Sequence, residues 1–135
     1  MRLVIIGMAL SLAACAETPK QTAARLADAD ETRAALDREL AGLVPGTPQN
    51  CLQTFDRREA KSFGDTLVYR GADGVRYVTQ TTGCRRIGED NILVTVTPTP
   101  NLCRGDIATT IDRTARFQSG SCSFGEFTPY RRPSS

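Results

Sequence analysis

Thr66-Leu-Val-Tyr-Arg-Gly-Ala-Asp-Gly-Val-Arg-Tyr-Val-Thr79 is the stretch that decides the fold class of this chain. Two β-branched and aromatic runs, Thr66 to Arg70 and Val75 to Thr79, flank Gly71-Ala-Asp-Gly74, the composition of a β-hairpin with its turn. Successive side chains of a strand point to opposite faces, so Val75, Tyr77 and Thr79 share one face and Arg76, Val78 and Gln80 the other. Outward from the hairpin, Ile92 to Thr97 is the strongest single strand signal, ended by Pro98 and Pro100. Asp106 to Asp112 places Ile107, Thr109 and Ile111 on one face of another strand. Cys51 to Phe55 and Ser123 to Thr128 are weaker signals of the same kind. Six short strands separated by turn residues predict a mainly β fold, a small antiparallel barrel or sandwich over residues 50–130.

Upstream of residue 50 the periodicity is different. From Gln21 to Leu43 the chain turns to Ala, Leu, Glu, Asp and Arg, with no Gly or Pro before Gly42. Leu26, Ala29, Leu36, Leu40 and Leu43 recur at spacings of three, seven, four and three. Arg33 occupies the missing step. This predicts an amphipathic helix over 21–44, ended by Gly42, Pro45-Gly46 and Pro48. Its leucines suit docking on the following domain, with the N-terminal half as a stalk. A coiled coil between copies is the rival reading, and an arginine in a seam of barely three heptads argues against it.

The first residues have the layout of a secretory leader. Arg2 is a one-charge n-region, and Leu3 to Ala14 form an apolar h-region ending in small residues. A membrane span needs roughly 20 apolar residues, and polar sequence begins here at Glu17. Leu12-Ala13-Ala14-Cys15 resembles the bacterial lipobox, in which the cysteine thiol is acylated and the chain is cut just before it. The resemblance implies a signal peptide over 1–14, a lipidated Cys15 and a tether over 15–20. Ala16 rather than Asp after the cysteine implies, by the same resemblance, sorting to the outer membrane. Acyl chains contribute about 0.8 kcal/mol per buried CH₂, so several on one residue hold a domain firmly to a bilayer.

Export also sets the reading of the cysteines. With Cys15 set aside, Cys51, Cys84, Cys103 and Cys122 remain, an even number in an oxidising compartment, and predict two disulfides. Four cysteines allow three pairings, and spacing does not choose among them. No close Cys-x-x-Cys pair and no histidine is present, which argues against a zinc site or a thioredoxin-like redox motif. These half-cystines in their settings, with Gly83-Cys84, Leu102-Cys103-Arg-Gly-Asp106 and the closing Cys122-Ser-Phe-Gly-Glu-Phe127, resemble a group of small uncharacterised alphaproteobacterial lipoproteins of unknown domain function. That likeness implies an exported, disulfide-bonded protein and no particular chemistry.

Composition narrows the function classes. Without Arg2 the chain carries 16 basic and 15 acidic side chains, too balanced for a nucleic-acid binder. A histidine base is excluded outright, and a serine–lysine arrangement has only Lys20 and Lys61 to draw on. Glycoside hydrolysis would need two of Asp65, Glu89, Asp90, Asp106, Asp112 and Glu126 to converge about 5–9.5 Å apart. Asp106 is instead expected to bond the backbone of a turn beginning at Cys103. Arg104-Gly105-Asp106 spells an integrin-binding tripeptide, which three residues do by chance often enough to carry nothing. Arg57-Arg58, Arg85-Arg86 and Arg131-Arg132 are read as solvated pairs, with a basic face for anionic lipid or envelope polymer as the sharper reading. Residues 131–135 form a tail. No catalytic residue, metal ligand or cofactor motif emerges. The sequence therefore predicts a non-enzymatic envelope lipoprotein facing the periplasm, a binding or structural module with an unidentified envelope protein or polymer as partner. The alternative is a small periplasmic enzyme or enzyme inhibitor with an acidic or arginine-lined cleft.

Overall fold

A computed structural model describes residues 17–53, 56, 59–84, 87 and 89–133. The leader, Cys15, Phe55 and the Arg57-Arg58 and Arg85-Arg86 pairs lie outside the described residues. The chain divides between residues 31 and 32 into two compact units. One helix, α1, runs Pro19–Glu39. Its start is chemically marked. Thr18 Oγ1 accepts a hydrogen bond from the Gln21 N–H at 3.3 Å, and Gln21 Oε1 accepts one from the Thr18 N–H at 2.9 Å. This reciprocal cap satisfies two amides that a helix leaves orphaned, and Pro19 sits at the first helical position, where its missing N–H costs nothing. The tether expected over 15–20 thus gives way to helix at Pro19. Within the first unit, residues 17–31 are all exposed, Leu26 to 63%.

In the second unit the helical stripe is put to use. Thr32, Ala35, Leu36, Glu39 and Leu40 are half-buried, at the spacing of one helical face. The helix ends five residues earlier than the expected 44. Gly42 takes a left-handed φ of +74°, a conformation that favours glycine, and the Leu43 N–H bonds the Leu40 carbonyl at 3.0 Å. Val44–Pro45 then forms β1, so the sheet begins before residue 50.

Eight further strands follow among the described residues: β2 Cys51–Gln53, β3 Glu59–Phe63, β4 Thr66–Arg70, β5 Arg76–Thr82, β6 Asn91–Thr95, β7 Asn101–Cys103, β8 Ile107–Asp112 and β9 Gln118–Arg131. The principal sheet is antiparallel in the order β3-β4-β5-β9-β8-β6, with β1 added on β9, and curls into a half-barrel. β2 and β7 form a separate two-stranded ribbon. β4 coincides with the first run of the quoted hairpin, and β5 begins one residue into the second. β3 and β7 were not legible as strands. Glu-Ala-Lys-Ser-Phe is poor in β-branched residues, and three residues of β7 are too few to show alternation.

The concave side of the sheet holds the core. Leu67 and Tyr69 of β4, Tyr77 of β5, Ala108 of β8, and Cys122, Phe124 and Phe127 of β9 are buried there together. The ribbon contributes Leu52 and Leu102, directly opposed in register and both fully buried in the same cluster. β4 is buried on both sides, since Thr66 and Val68 are covered as well as Leu67 and Tyr69. Glu39 reaches Arg70, which shares a face with Val68, so the C-terminal turns of α1 lie over the side of β4 that turns away from the core.

β9 spans 14 residues and borders β5, β8 and β1. It stays in the sheet by a bulge. Thr79 pairs with Phe127 and Thr81 with Phe124, so Gly125 and Glu126 together face the single residue Gln80. The extra residue restores Phe124 and Phe127 to one face although they are three apart. A Cβ at Gly125 would stand 2.8 Å from the Gln80 carbonyl oxygen, so only glycine fits.

Candidate functional site

The four half-cystines are held by the sheet and the ribbon. Cys51 and Cys103 face each other across β2 and β7 with Cα atoms 4.0 Å apart and are joined by a disulfide. Such a close approach is that of a non-hydrogen-bonded antiparallel pair. Cys84 and Cys122 form the second bridge, tying the segment after β5 to β9, and both sulfurs are buried in the core. Two disulfides mark a chain that matures in an oxidising compartment. No helix among the described residues is long and apolar enough to cross a membrane.

Beside the first bridge, Cys103 to Asp106 make a tight turn. The Asp106 N–H bonds the Cys103 carbonyl at 3.0 Å, and Asp106 Oδ2 accepts from the Cys103 N–H at 2.7 Å. Gly105 supplies the left-handed residue, φ +87°, that a type II turn requires. The Asp106 carboxylate is therefore occupied by its own backbone. Arg104 turns outward and pairs with Glu126 at 3.0 Å. Of the other acids named above, Glu126 is thus taken by Arg104 and Asp112 by a turn. Asp112 Oδ1 accepts from the N–H groups of Thr114 and Ala115 at 2.8 and 2.6 Å, shaping the β8–β9 turn. Glu89 and Asp90 are exposed in the turn before β6. Among the described residues no three of His, Cys, Asp and Glu gather as a metal-binding group.

A charge network the sequence did not announce sits where α1 meets the sheet. Arg70 and Arg76 are directly opposed across β4 and β5, and Glu59 opposes Arg70 from β3. Two like charges in register repel. Glu39 resolves the conflict: Arg70 Nε and Nη2 donate to its two oxygens at 3.0 and 2.9 Å, and Arg76 Nε donates at 2.8 Å. Glu59 takes the remaining Arg70 nitrogen at 3.0 Å. The available signal was an acid in the last turn of a helix, where the macrodipole disfavours it unless a partner waits. The hydrogen bonds and charge of Arg70 hold the Glu39 carboxyl below the usual glutamate range, with Arg76 adding to this and burial opposing it. Reciprocally, bonding to Glu39 raises the Arg70 guanidinium. A group whose folded pKa is depressed stabilises the fold above its unfolded value and loses that contribution as pH falls through the folded one. Glu39→Gln is accordingly expected to lower unfolding free energy by about 1–3 kcal/mol near neutral pH, between the exposed and buried limits for ion pairs. Urea titrations at stepped pH should show that deficit shrinking below roughly pH 4; a deficit independent of pH would refute the assignment.

One surface remains chemically unspent. Among the described residues β6 and β3 end the main path of the sheet, and they differ. β3 carries exposed Glu59 and Lys61, the charged residues that keep an edge from pairing with other chains. Asn91 to Asn101 holds no charged residue. Ile92 and Val94 of β6 are 44% and 37% exposed, Val96 beyond it 88%, and Ile107 of β8 66%. Ile92 opposes Ile111 and Val94 opposes Thr109, so β6 and β8 present one continuous β-branched face. The sheet's alternation sends Leu93 and Ala108 to the core and these residues outward.

The chain matches no family model, no curated protein and no solved structure. Its functional reading therefore rests on this geometry and on the residues themselves.

Proposed function

We propose that the protein is an exported lipoprotein, anchored to the outer membrane through acylated Cys15, whose β domain is a non-enzymatic binding module that faces the periplasm and docks an envelope protein on the β6–β8 face. The group it resembles, the small cysteine-containing alphaproteobacterial lipoproteins, is the family in which we place it. The observation that carries the binding role is the uncharged edge strand with Ile92, Val94, Val96 and Ile107 exposed beside it. Isolated surface apolar residues are ordinary, but a contiguous row on and beside a strand without charge marks an interaction surface. The β-branched row would supply side-chain complementarity to a docked partner. The engagement of Asp106 and Asp112 in turns and of Glu126 in an ion pair supports binding over hydrolysis.

Fractionation and crosslinking test both halves. Cys15→Ser should move the protein from the membrane to the soluble periplasmic fraction; persistent membrane attachment would refute the anchor. A photo-crosslinking residue at position 96 should trap one discrete envelope protein in cells. Val94→Lys, which puts an ammonium into the row without touching the core, should cut that adduct about 10-fold or more, since burying an unpaired charge opposes docking. An adduct unchanged by Val94→Lys would overturn the assignment of this face.

A further inference from the structure

At the β4–β5 end of the sheet, three separated segments enclose an open recess of about 470 Å³. The connection between β2 and β3 brings Asp56, the hairpin loop brings Ala72, Asp73 and Val75, and the end of β9 brings Arg131 and Arg132, with Tyr77 behind them. That volume falls in the ordinary range for small-molecule sites. The recess shares no residue with the β6–β8 face, so it goes beyond the binding role assigned to that face.

The rim is peculiar in its charges. It carries two carboxylates and two guanidiniums, yet among the described residues none of the four makes an ion pair or a side-chain hydrogen bond. Elsewhere in the same domain arginines and acids find one another readily, as Arg70, Arg76 and Arg104 do. Tyr77 supplies an independent observation. It is only 6% exposed and lines the recess, and its hydroxyl has no hydrogen-bond partner among the described residues. A phenol buried to that degree ordinarily finds a partner. A Cβ on Gly71 would stand 2.7 Å from Tyr77 Cε2, so the tyrosine ring lies close over a bare glycine, with Asp56 Oδ1 in ordinary contact distance of the same point at 3.5 Å. The loop that holds Asp73 is braced by the Arg76 Nη1 bond to the Gly74 carbonyl at 3.1 Å.

We infer that this recess is a binding site for a small zwitterion, an amino acid or short peptide, whose carboxylate is taken by Arg131 and Arg132 and whose ammonium is taken by Asp56 and Asp73. A plain anion would meet two carboxylates and a plain cation two guanidiniums; a ligand carrying both signs satisfies all four. The Tyr77 hydroxyl donates to or accepts from the polar backbone between the two charged ends. The apolar lining of Ala72 and Val75 accommodates small side chains.

The full chain, purified in mild detergent, is titrated with alanyl-alanine, with alanine, and with the dipeptide blocked at both ends, and followed by amide correlation spectra. Saturable shifts at residues 72–77 and 131–132 are expected with the free dipeptide or with alanine, the tighter of the two identifying peptide or amino acid as the source. The doubly blocked dipeptide should bind at least about 5-fold more weakly. Asp56→Asn and Arg132→Gln should each weaken binding about 5-fold or more, and Tyr77→Phe, which keeps the ring, by about 3-fold. Arg113→Gln, away from the recess, should leave binding unchanged. No saturable shift up to roughly 10 mM, or equal binding of the blocked dipeptide, would overturn the proposal.

Discussion

Paired substitution of Cys84 and Cys122 by alanine is expected to lower the unfolding free energy by about 4 kcal/mol, from the chain entropy of a bridge whose ends are 38 residues apart. For a β domain of this size that corresponds to a fall in Tm of roughly 15–30 °C. The bridge matters for more than entropy. It ties the segment leaving β5 to β9, the strand on which β5, β8 and β1 all assemble. Gly83 makes the join possible: its φ is +90°, and a Cβ there would stand 2.8 Å from the Ser121 carbonyl oxygen. With both sulfurs buried, each alanine also loses packing in the core. Thermal melts followed by circular dichroism check this on the full chain. A loss under about 1 kcal/mol would mean that the bridge constrains nothing the sheet does not already hold.

Phe127→Ala should be of similar severity, about 3–5 kcal/mol, the usual cost of emptying a buried aromatic site. Phe127 is fully buried, with its ring 6.3 Å from that of Tyr69 and 6.2 Å from that of Phe124. Its backbone exchanges hydrogen bonds of 2.9 Å with Gln49 in both directions, which ties the segment between β1 and β2 to β9. The cavity would therefore open where Tyr69 of β4 and Phe124 of β9 meet the same ring. Urea unfolding should report the loss as a lower midpoint with little change in slope. Phe127→Leu, which keeps most of the volume, should cost about 1.5 kcal/mol or less. If the two variants were equally destabilised, filling of the core by this ring would not be what holds β9 in place.

Much of the architecture could be read directly from local pattern. The run Thr66 to Arg70 is β4 residue for residue, and the faces assigned to Tyr77 and Thr79 against Arg76 and Val78 are those that the sheet adopts. The irregular stretches were harder. Ser123 to Thr128 gave a weak signal because Phe124 and Phe127 break the alternation, and the bulge that repairs it exists only when β9 lies beside Gln80. Glu39 lies off the leucine positions of the helix, and its role depends on two arginines 31 and 37 residues away being brought into register. The recess shows the same limit, since Asp56, Asp73 and Arg131 are far apart in sequence and meet only at one end of the sheet.

By itself, the sequence determined what depends on neighbours within a few residues: the alternation of strands, the helix and its apolar positions, the turn residues at Gly71 to Gly74 and Cys103 to Asp106, and an even set of cysteines to be joined. Tertiary structure alone decided which cysteine meets which, that the sheet stays an open half-barrel whose core takes Leu52 and Leu102 from the ribbon, and which edge is left uncharged and apolar. The physical reason is range. Propensity and periodicity are properties of short segments, whereas pairing, burial on the second face of β4 and the neutralisation of opposed arginines arise from contacts that close long loops and have no local trace.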